Sequence, residues 1–215
     1  MKFFLDTAMV DEIKKADDWG ILDGVTTNPS HISATGKKFL PVVEEICKLM
    51  QDRPVSAEVT ATDPDGILKE AREISRIADN IVVKVPTIPA GIQAGKQLKT
   101  EGIKTNYTLV FSASQALLTA KVGATYISPF VGRLDNVSEF GMELVHDIRT
   151  ILDNYDFDSQ IILAAARHPL HVVEGALAGC DVITMRINIM EMLFNHPLTD
   201  IGLERFLKDW EKVPK

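Results

Sequence analysis

A repeat constrains this chain more than any other feature: a short apolar run followed by an amphipathic stretch, eight times in 215 residues. The runs are Phe3–Leu5, Gly24–Thr26, Val55–Val59, Ile81–Val85, Thr105–Phe111, Thr125–Phe130, Ile161–Ala166 and Val182–Ile187. Several are rich in Val and Ile, as strands covered on both faces are. The stretches between them carry apolar residues at helical spacing. Examples are Leu40, Val43, Ile46, Cys47 and Met50, then Ile67, Ala71, Ile74 and Ile77, then Met142, Leu144, Val145, Ile148 and Leu152. A strand–helix unit of roughly 27 residues is the economy of a compact (β/α)8 TIM barrel, an α/β fold. An open doubly wound sheet shows the same alternation. Against it, no glycine-rich dinucleotide or phosphate loop follows the first run, and Gly36-Lys37-Lys38 lacks both the upstream glycine and the hydroxyl of such a loop. Residues 199–212 read as an additional C-terminal helix through Ile201, Phe206, Leu207 and Trp210. It is surplus to the eight units and either covers the barrel or packs on a neighbour. No linker or low-complexity tract interrupts the chain, so residues 1–215 read as a single barrel domain.

Composition narrows the partners. Hydrophobic residues make up 46% and charged residues 25%, which excludes disorder, collagen and coiled coil. The net charge of −7 argues against nucleic acid or an anionic membrane as partner. No apolar run approaches the roughly 18 residues of a spanning helix. The start, Met1-Lys2-Phe3-Phe4-Leu5-Asp6, reaches a carboxylate too early for a signal peptide. Cys47 and Cys180 form no CxxC pair, as expected of a reducing, cytoplasmic compartment.

The chemistry starts at Ile81-Val82-Val83-Lys84-Val85-Pro86. A lysine within an apolar strand is costly, because Lys is almost never fully buried unless paired. Desolvation penalises the ammonium and favours the neutral amine, the form that attacks a carbonyl to make a Schiff base. Alternation puts Val83 and Val85 on one strand face and Val82, Lys84 and Pro86 on the other. The other reading is that Lys84 lies near a strand end and reaches solvent.

Other runs also hold polar residues where a core strand favours apolar ones: Asp6, Thr26, Thr27 and Asn28, Glu58, Asn106 and Thr108. Barrel enzymes gather catalytic groups at the C-terminal ends of several strands, so these side chains are candidates for one pocket. Singly, Asp6 also reads as a helix cap and Glu58 as a solvent-facing strand position. Arg133 and Arg167 follow the sixth and seventh runs, where such barrels often bind phosphate; the bland reading is a pair of surface arginines. Arg186 falls inside the last run and breaks its apolar pattern. His168 and His171 lack a third ligand, so no metal site is expected.

Together these segments resemble the transaldolases, in particular the short subfamily that also contains fructose-6-phosphate aldolase. The resemblance spans the chain. It rests on Phe4-Leu5-Asp6-Thr7, Gly24-Val25-Thr26-Thr27-Asn28-Pro29, Val82-Val83-Lys84-Val85-Pro86, Thr105-Asn106-Tyr107-Thr108-Leu109-Val110-Phe111, Ser128-Pro129-Phe130-Val131-Gly132-Arg133 and His196-Pro197-Leu198-Thr199-Asp200. It implies that Lys84 forms an imine with a ketose donor and that Asp6 is the base for the donor's fourth-carbon hydroxyl. It implies that Asn28 and Asn106 hold the dihydroxyacetone unit, that Glu58 and Thr108 position a water, and that Arg133 and Arg167 bind phosphate. No cofactor is implied. A ring-based homo-oligomer, pentamer or decamer, is. The family's aldolases carry glutamine at the position of Glu58 and tyrosine at that of Phe130, so those two residues point to transfer of the three-carbon unit.

The chain also departs from the family pattern. Ala165 stands where a serine is usual, Arg186 where a proline is, and His31 where a leucine is common. Loss of a hydroxyl beside a charged oxygen leaves open an altered anion, such as the sulfonate of 6-deoxy-6-sulfofructose. Two further readings stay open: an aldolase that releases free dihydroxyacetone and, through the Ala165 departure, a non-catalytic anion-binding barrel.

Overall fold

A computed structural model of the chain describes residues 1–214. Its strands are β1 (Lys2–Asp6), β2 (Gly24–Thr26), β3 (Val55–Glu58), β4 (Ile81–Pro86), β5 (Thr105–Val110), β6 (Tyr126–Pro129), β7 (Gln160–Leu163) and β8 (Val182–Met185). Each falls on one of the eight apolar runs. Neighbours pair in parallel and β8 pairs with β1, so the sheet closes into a barrel. Arg186 does not interrupt a strand: β8 stops at Met185, and Arg186 is the residue that precedes the next helix.

The helices are α1 (Val10–Asp18), α2 (Pro29–Ala34), α3 (Phe39–Met50), α4 (Pro64–Ser75), α5 (Pro89–Thr100) and α6 (Ala113–Lys121). They continue with α7 (Val131–Asp135), α8 (Gly141–Asn154), α9 (Pro169–Leu177), α10 (Ile187–Met192) and α11 (Pro197–Trp210). Their starts are written in the sequence. Asn28, Asp63 and Ser112 accept from backbone N–H groups of the first turn, and Pro29, Pro64, Pro89, Pro169 and Pro197 occupy first-turn positions. The additional C-terminal helix is present but shifted from 199–212. It begins at Pro197, where the His196 side chain accepts from Leu198 N–H, and ends at Trp210.

Two apolar layers hold the barrel. Strand residues facing the helices, among them Leu5, Val25, Val55, Val83, Val85, Ile127, Ile161 and Ile183, join the helix faces in the main core. The barrel interior has its own smaller cluster: Phe4, Val82, Tyr126, Ile162 and Val182. Phe4 and Tyr126 meet edge to face with ring centres 6.3 Å apart. Gly24 makes room for them, since a Cβ there would lie 2.5 Å from the Phe4 ring.

Strand alternation and the register stack the inward side chains in layers of four, drawn from alternate strands. Gly24, Val82, Tyr126 and Val182 form the lowest layer, and Phe4, Ser56, Asn106 and Ile162 the next. Above them come Thr26, Lys84, Ser128 and Thr184, then Asp6, Glu58, Thr108 and Ala164. The interior therefore changes from apolar to polar toward the C-terminal ends of the strands, which sets the depth of the site.

Candidate active site

The polar layers open into a cavity of about 800 Å³. Ten residues singled out from the sequence line it: Asp6, Thr26, Asn28, Glu58, Lys84, Asn106, Thr108, Phe130, Arg133 and Arg167. His31, Ala165 and Arg186 line it too.

Lys84 does not reach solvent; it is only 5% exposed. Its Nζ lies 3.0 Å from Glu58 Oε2 and donates to the Thr27 carbonyl at 3.2 Å. Glu58 is accordingly not a solvent-facing position. Its strand pairs with β4 so that Glu58 and Lys84 are directly opposite. A buried lysine with a carboxylate and a carbonyl within reach is held in one place rather than left to snorkel.

Asp6 is not a helix cap, since α1 starts after Met9 with no side-chain cap. Both its carboxylate oxygens are engaged: Thr26 Oγ1 donates to Oδ1 at 2.9 Å, and His31 Nε2 lies 3.2 Å from Oδ2. Burial pushes this carboxyl up. The hydrogen bond and charge of His31, then the Lys84 ammonium and the Thr26 hydroxyl, outweigh burial and hold it below its usual value. Thr26 also shares a 2.6 Å hydrogen bond with Thr184, which ties β2 to β8 under the carboxylate.

Asn106 spans the floor. Its amide nitrogen donates to Ser56 Oγ at 3.2 Å and its oxygen accepts from Ser128 Oγ at 2.7 Å. Thr108 Oγ1 is buried without a protein partner. Such a hydroxyl costs free energy unless something polar meets it. Asn28 caps α2, its oxygen accepting from His31 N–H at 3.0 Å.

Two arginines stand at the outer part of the cavity. Arg133 lies on the short helix α7, with its guanidinium 5.5 Å from the centre of the Phe130 ring. Arg167 crosses Gly132, where a Cβ would lie 2.6 Å from Arg167 Cγ. Two residues at this rim have left-handed backbone without being glycine: Leu109 at φ 59° and Ala165 at φ 59°. Leu109 sits in a β5 irregularity between Tyr107 and Val110. Strain of this kind costs about 1–3 kcal/mol per residue and gathers at functional sites.

Sequence reasoning missed Ser56, Ser128 and Thr184 as parts of this network. The signal was there: polar residues at every second position of a run, all on the face that carries Lys84. The His168 and His171 rings lie with their centres 3.8 Å apart, tilted by 37°. Among the described residues no group of three or more His, Cys, Asp or Glu side chains is arranged to hold a metal ion. Nor is any helix there long and apolar enough to cross a membrane.

Fold and site define a (β/α)8 barrel with a lysine–carboxylate centre at its C-terminal mouth. The chain belongs to the transaldolase/fructose-6-phosphate aldolase family, whose pattern matches residues 3–215. It is 60% identical over 215 residues to a probable transaldolase of Aquifex aeolicus (strain VF5), covering 100% of this chain and 99% of that one. A probable transaldolase of Dictyoglomus turgidum (strain DSM 6724 / Z-1310) is likewise 60% identical, with 100% of both chains covered. Among solved structures, one titled "Native KDPGal structure" superposes with a TM-score of 0.60 at 13% identity, covering 85% of this chain and 80% of its own. That likeness bears on the barrel fold alone.

Proposed function

We propose that this protein is a transaldolase that moves a dihydroxyacetone unit from a ketose phosphate to an aldose phosphate through a Schiff base on Lys84. The observation that carries the reading is the buried Lys84 amine, 3.0 Å from Glu58 and in one cavity with the Asp6 carboxylate. The Lys84 amine adds to the ketose carbonyl, and loss of water leaves a protonated imine. Asp6 takes the proton of the fourth-carbon hydroxyl. The bond between the third and fourth carbons breaks, and its electron pair enters the iminium to give a neutral enamine. The aldose phosphate leaves. The enamine carbon attacks the carbonyl of a second aldose phosphate, which recovers the proton from Asp6. Water then hydrolyses the new imine. Glu58 lies within reach to exchange a proton with the lysine nitrogen, and the unpartnered Thr108 hydroxyl suits the water that enters and leaves. Arg133 and Arg167 supply the forks for the phosphate. The reaction needs no cofactor.

Borohydride trapping tests this reading. The protein is mixed with fructose 6-phosphate without acceptor, reduced, and examined by intact mass and peptide mapping. A dihydroxyacetone-sized adduct on Lys84 is expected. Folded protein that gives no adduct with any ketose would overturn the reading in favour of a non-catalytic barrel. The family's aldolase activity differs in releasing free dihydroxyacetone, and product analysis with and without acceptor separates the two.

A second reading rests on the cavity wall. Ala165 offers no hydroxyl there, while Arg186 adds a cation. A sulfonated ketose, 6-deoxy-6-sulfofructose, fits that change. Turnover of this sugar in preference to fructose 6-phosphate supports the second reading; turnover of fructose 6-phosphate alone rejects it.

A further inference from the structure

His171 is buried, titratable and outside the cavity, and the reaction above does not use it. It is 3% exposed. Its Nδ1 accepts the backbone N–H of Arg167 at 3.1 Å, and its Nε2 lies 2.9 Å from Asp135 Oδ2. An acceptor at Nδ1 carries no proton, so the neutral ring holds its hydrogen on Nε2 and donates it to Asp135. Burial, reinforced by the neighbouring His168, pushes this imidazole below its usual value against the pull of Asp135, which favours the same neutral tautomer.

Both ends of this bridge lead to the anion site. Asp135 closes α7, two residues beyond Arg133, and its other oxygen accepts Gly141 N–H at 3.0 Å, fixing the start of α8. Arg167 is the residue whose main chain His171 holds. The two segments also touch directly: Val131 N–H donates to the Ala164 carbonyl at 3.1 Å, and Arg167 lies across Gly132. The Arg133 and Arg167 side chains themselves are exposed. Long exposed side chains from two different loops grip one anion well only if their backbones keep a fixed spacing.

We propose that His171 is a positioning residue for the anion end of the site, a buried imidazole strut that sets the spacing between Arg167 and Arg133. The proposal rests on the transaldolase reading of the cavity. A strut of this kind acts on the part of the substrate that carries the phosphate and leaves the three-carbon end untouched. It therefore predicts a selective loss. In His171→Leu, the KM for fructose 6-phosphate rises by roughly 10- to 100-fold, the cost of displacing a binding group by about an ångström. kcat stays within about twofold, because Asp6, Glu58 and Lys84 sit on β1, β3 and β4, none of which carries the strut.

The test pairs steady-state kinetics on fructose 6-phosphate with borohydride trapping of dihydroxyacetone, which has no anionic group. In His171→Leu the KM is expected to rise while the rate of trapping on Lys84 stays that of the parent. Asp135→Ala cuts the same strut from its exposed end and gives the same selective change, also if His171→Leu does not fold. His171→Asn keeps an acceptor for Arg167 N–H, so its KM falls between those of parent and His171→Leu. An unchanged KM in Asp135→Ala, or KM and trapping that fail together in a folded variant, overturns the positioning role. If parent protein traps neither dihydroxyacetone nor fructose 6-phosphate, the transaldolase reading fails instead, and the two failures are told apart.

Discussion

At the residue scale the centre depends on two charged groups held by neighbours. Lys84 was legible because an amine in an apolar strand demands an explanation, and the barrel supplies one in Glu58. Truncation at Lys84→Ala removes the nucleophile and leaves the strand intact. Turnover should fall by a factor on the order of 10⁴ or more, with the borohydride adduct lost and the unfolding temperature nearly kept; full activity in this variant would sink the Schiff-base mechanism. His31 is the less expected neighbour. It reaches Asp6 from α2 and, with Lys84, holds that carboxyl below its usual value. A carboxyl depressed in the folded chain adds stability above its unfolded pKa of about 3.9, and that contribution is lost as pH falls through the lower folded value. The acid limb of kcat/KM, which reports the free enzyme, should accordingly lie below about 3.9. In His31→Leu the limb should move up, and His31→Gln, which keeps a donor, should return it part of the way. A pH–rate profile with the same acid limb in all three proteins would remove His31 from the account.

At the element scale, the strands deliver depth and the loop helices deliver reach. The helices beyond the simple alternation include three short ones, α2, α7 and α10, and all three follow strands at the mouth. They carry His31 and Arg133, and Arg186 immediately precedes α10. None was legible as a helix, because five or six residues are too few for a periodic pattern to show. The strands were legible because both faces are covered and the Val and Ile content is high. Layering inside the barrel makes a separate demand. Gly24 sits against Phe4, so Gly24→Ala forces the Phe4 ring to move. This should cost about 1–3 kcal/mol and lower the unfolding temperature. Adding Phe4→Leu should recover part of the loss; no drop in Gly24→Ala would mean that the lower layers are looser than their contacts indicate.

At the scale of the whole molecule the open question is α11. None of its residues is buried, and Ile201, Phe206, Leu207 and Trp210 are all exposed, Phe206 at 72% and Trp210 at 69%. A row of large apolar side chains along one helix marks an interface rather than ordinary surface. The helix does not cover the barrel of its own chain, so we propose that a second copy covers it, in keeping with the ring-based assembly that the family resemblance implies. The full chain should then run in solution as a multiple of 23.8 kDa. Deleting residues 197–215 should reduce that mass to a single shortened chain and leave trapping at Lys84 in place. A full-length protein that sediments as a 23.8 kDa monomer would reject the interface.

What the sequence determined by itself was the barrel and most of its polar inward residues, Ser56, Ser128 and Thr184 excepted. Both follow from short-range rules: period two in a strand, helical spacing between strands, and the expense of burying a charge. The tertiary structure decided which of those residues meet. The pairing of Lys84 with Glu58 depends on the β3–β4 register. That of Asp6 with His31 depends on how α2 leaves β2, and the strut from Arg167 to Asp135 joins segments more than thirty residues apart in the chain. Contacts of that kind are set by closing the sheet on itself, a condition on all eight strands at once that no local pattern records.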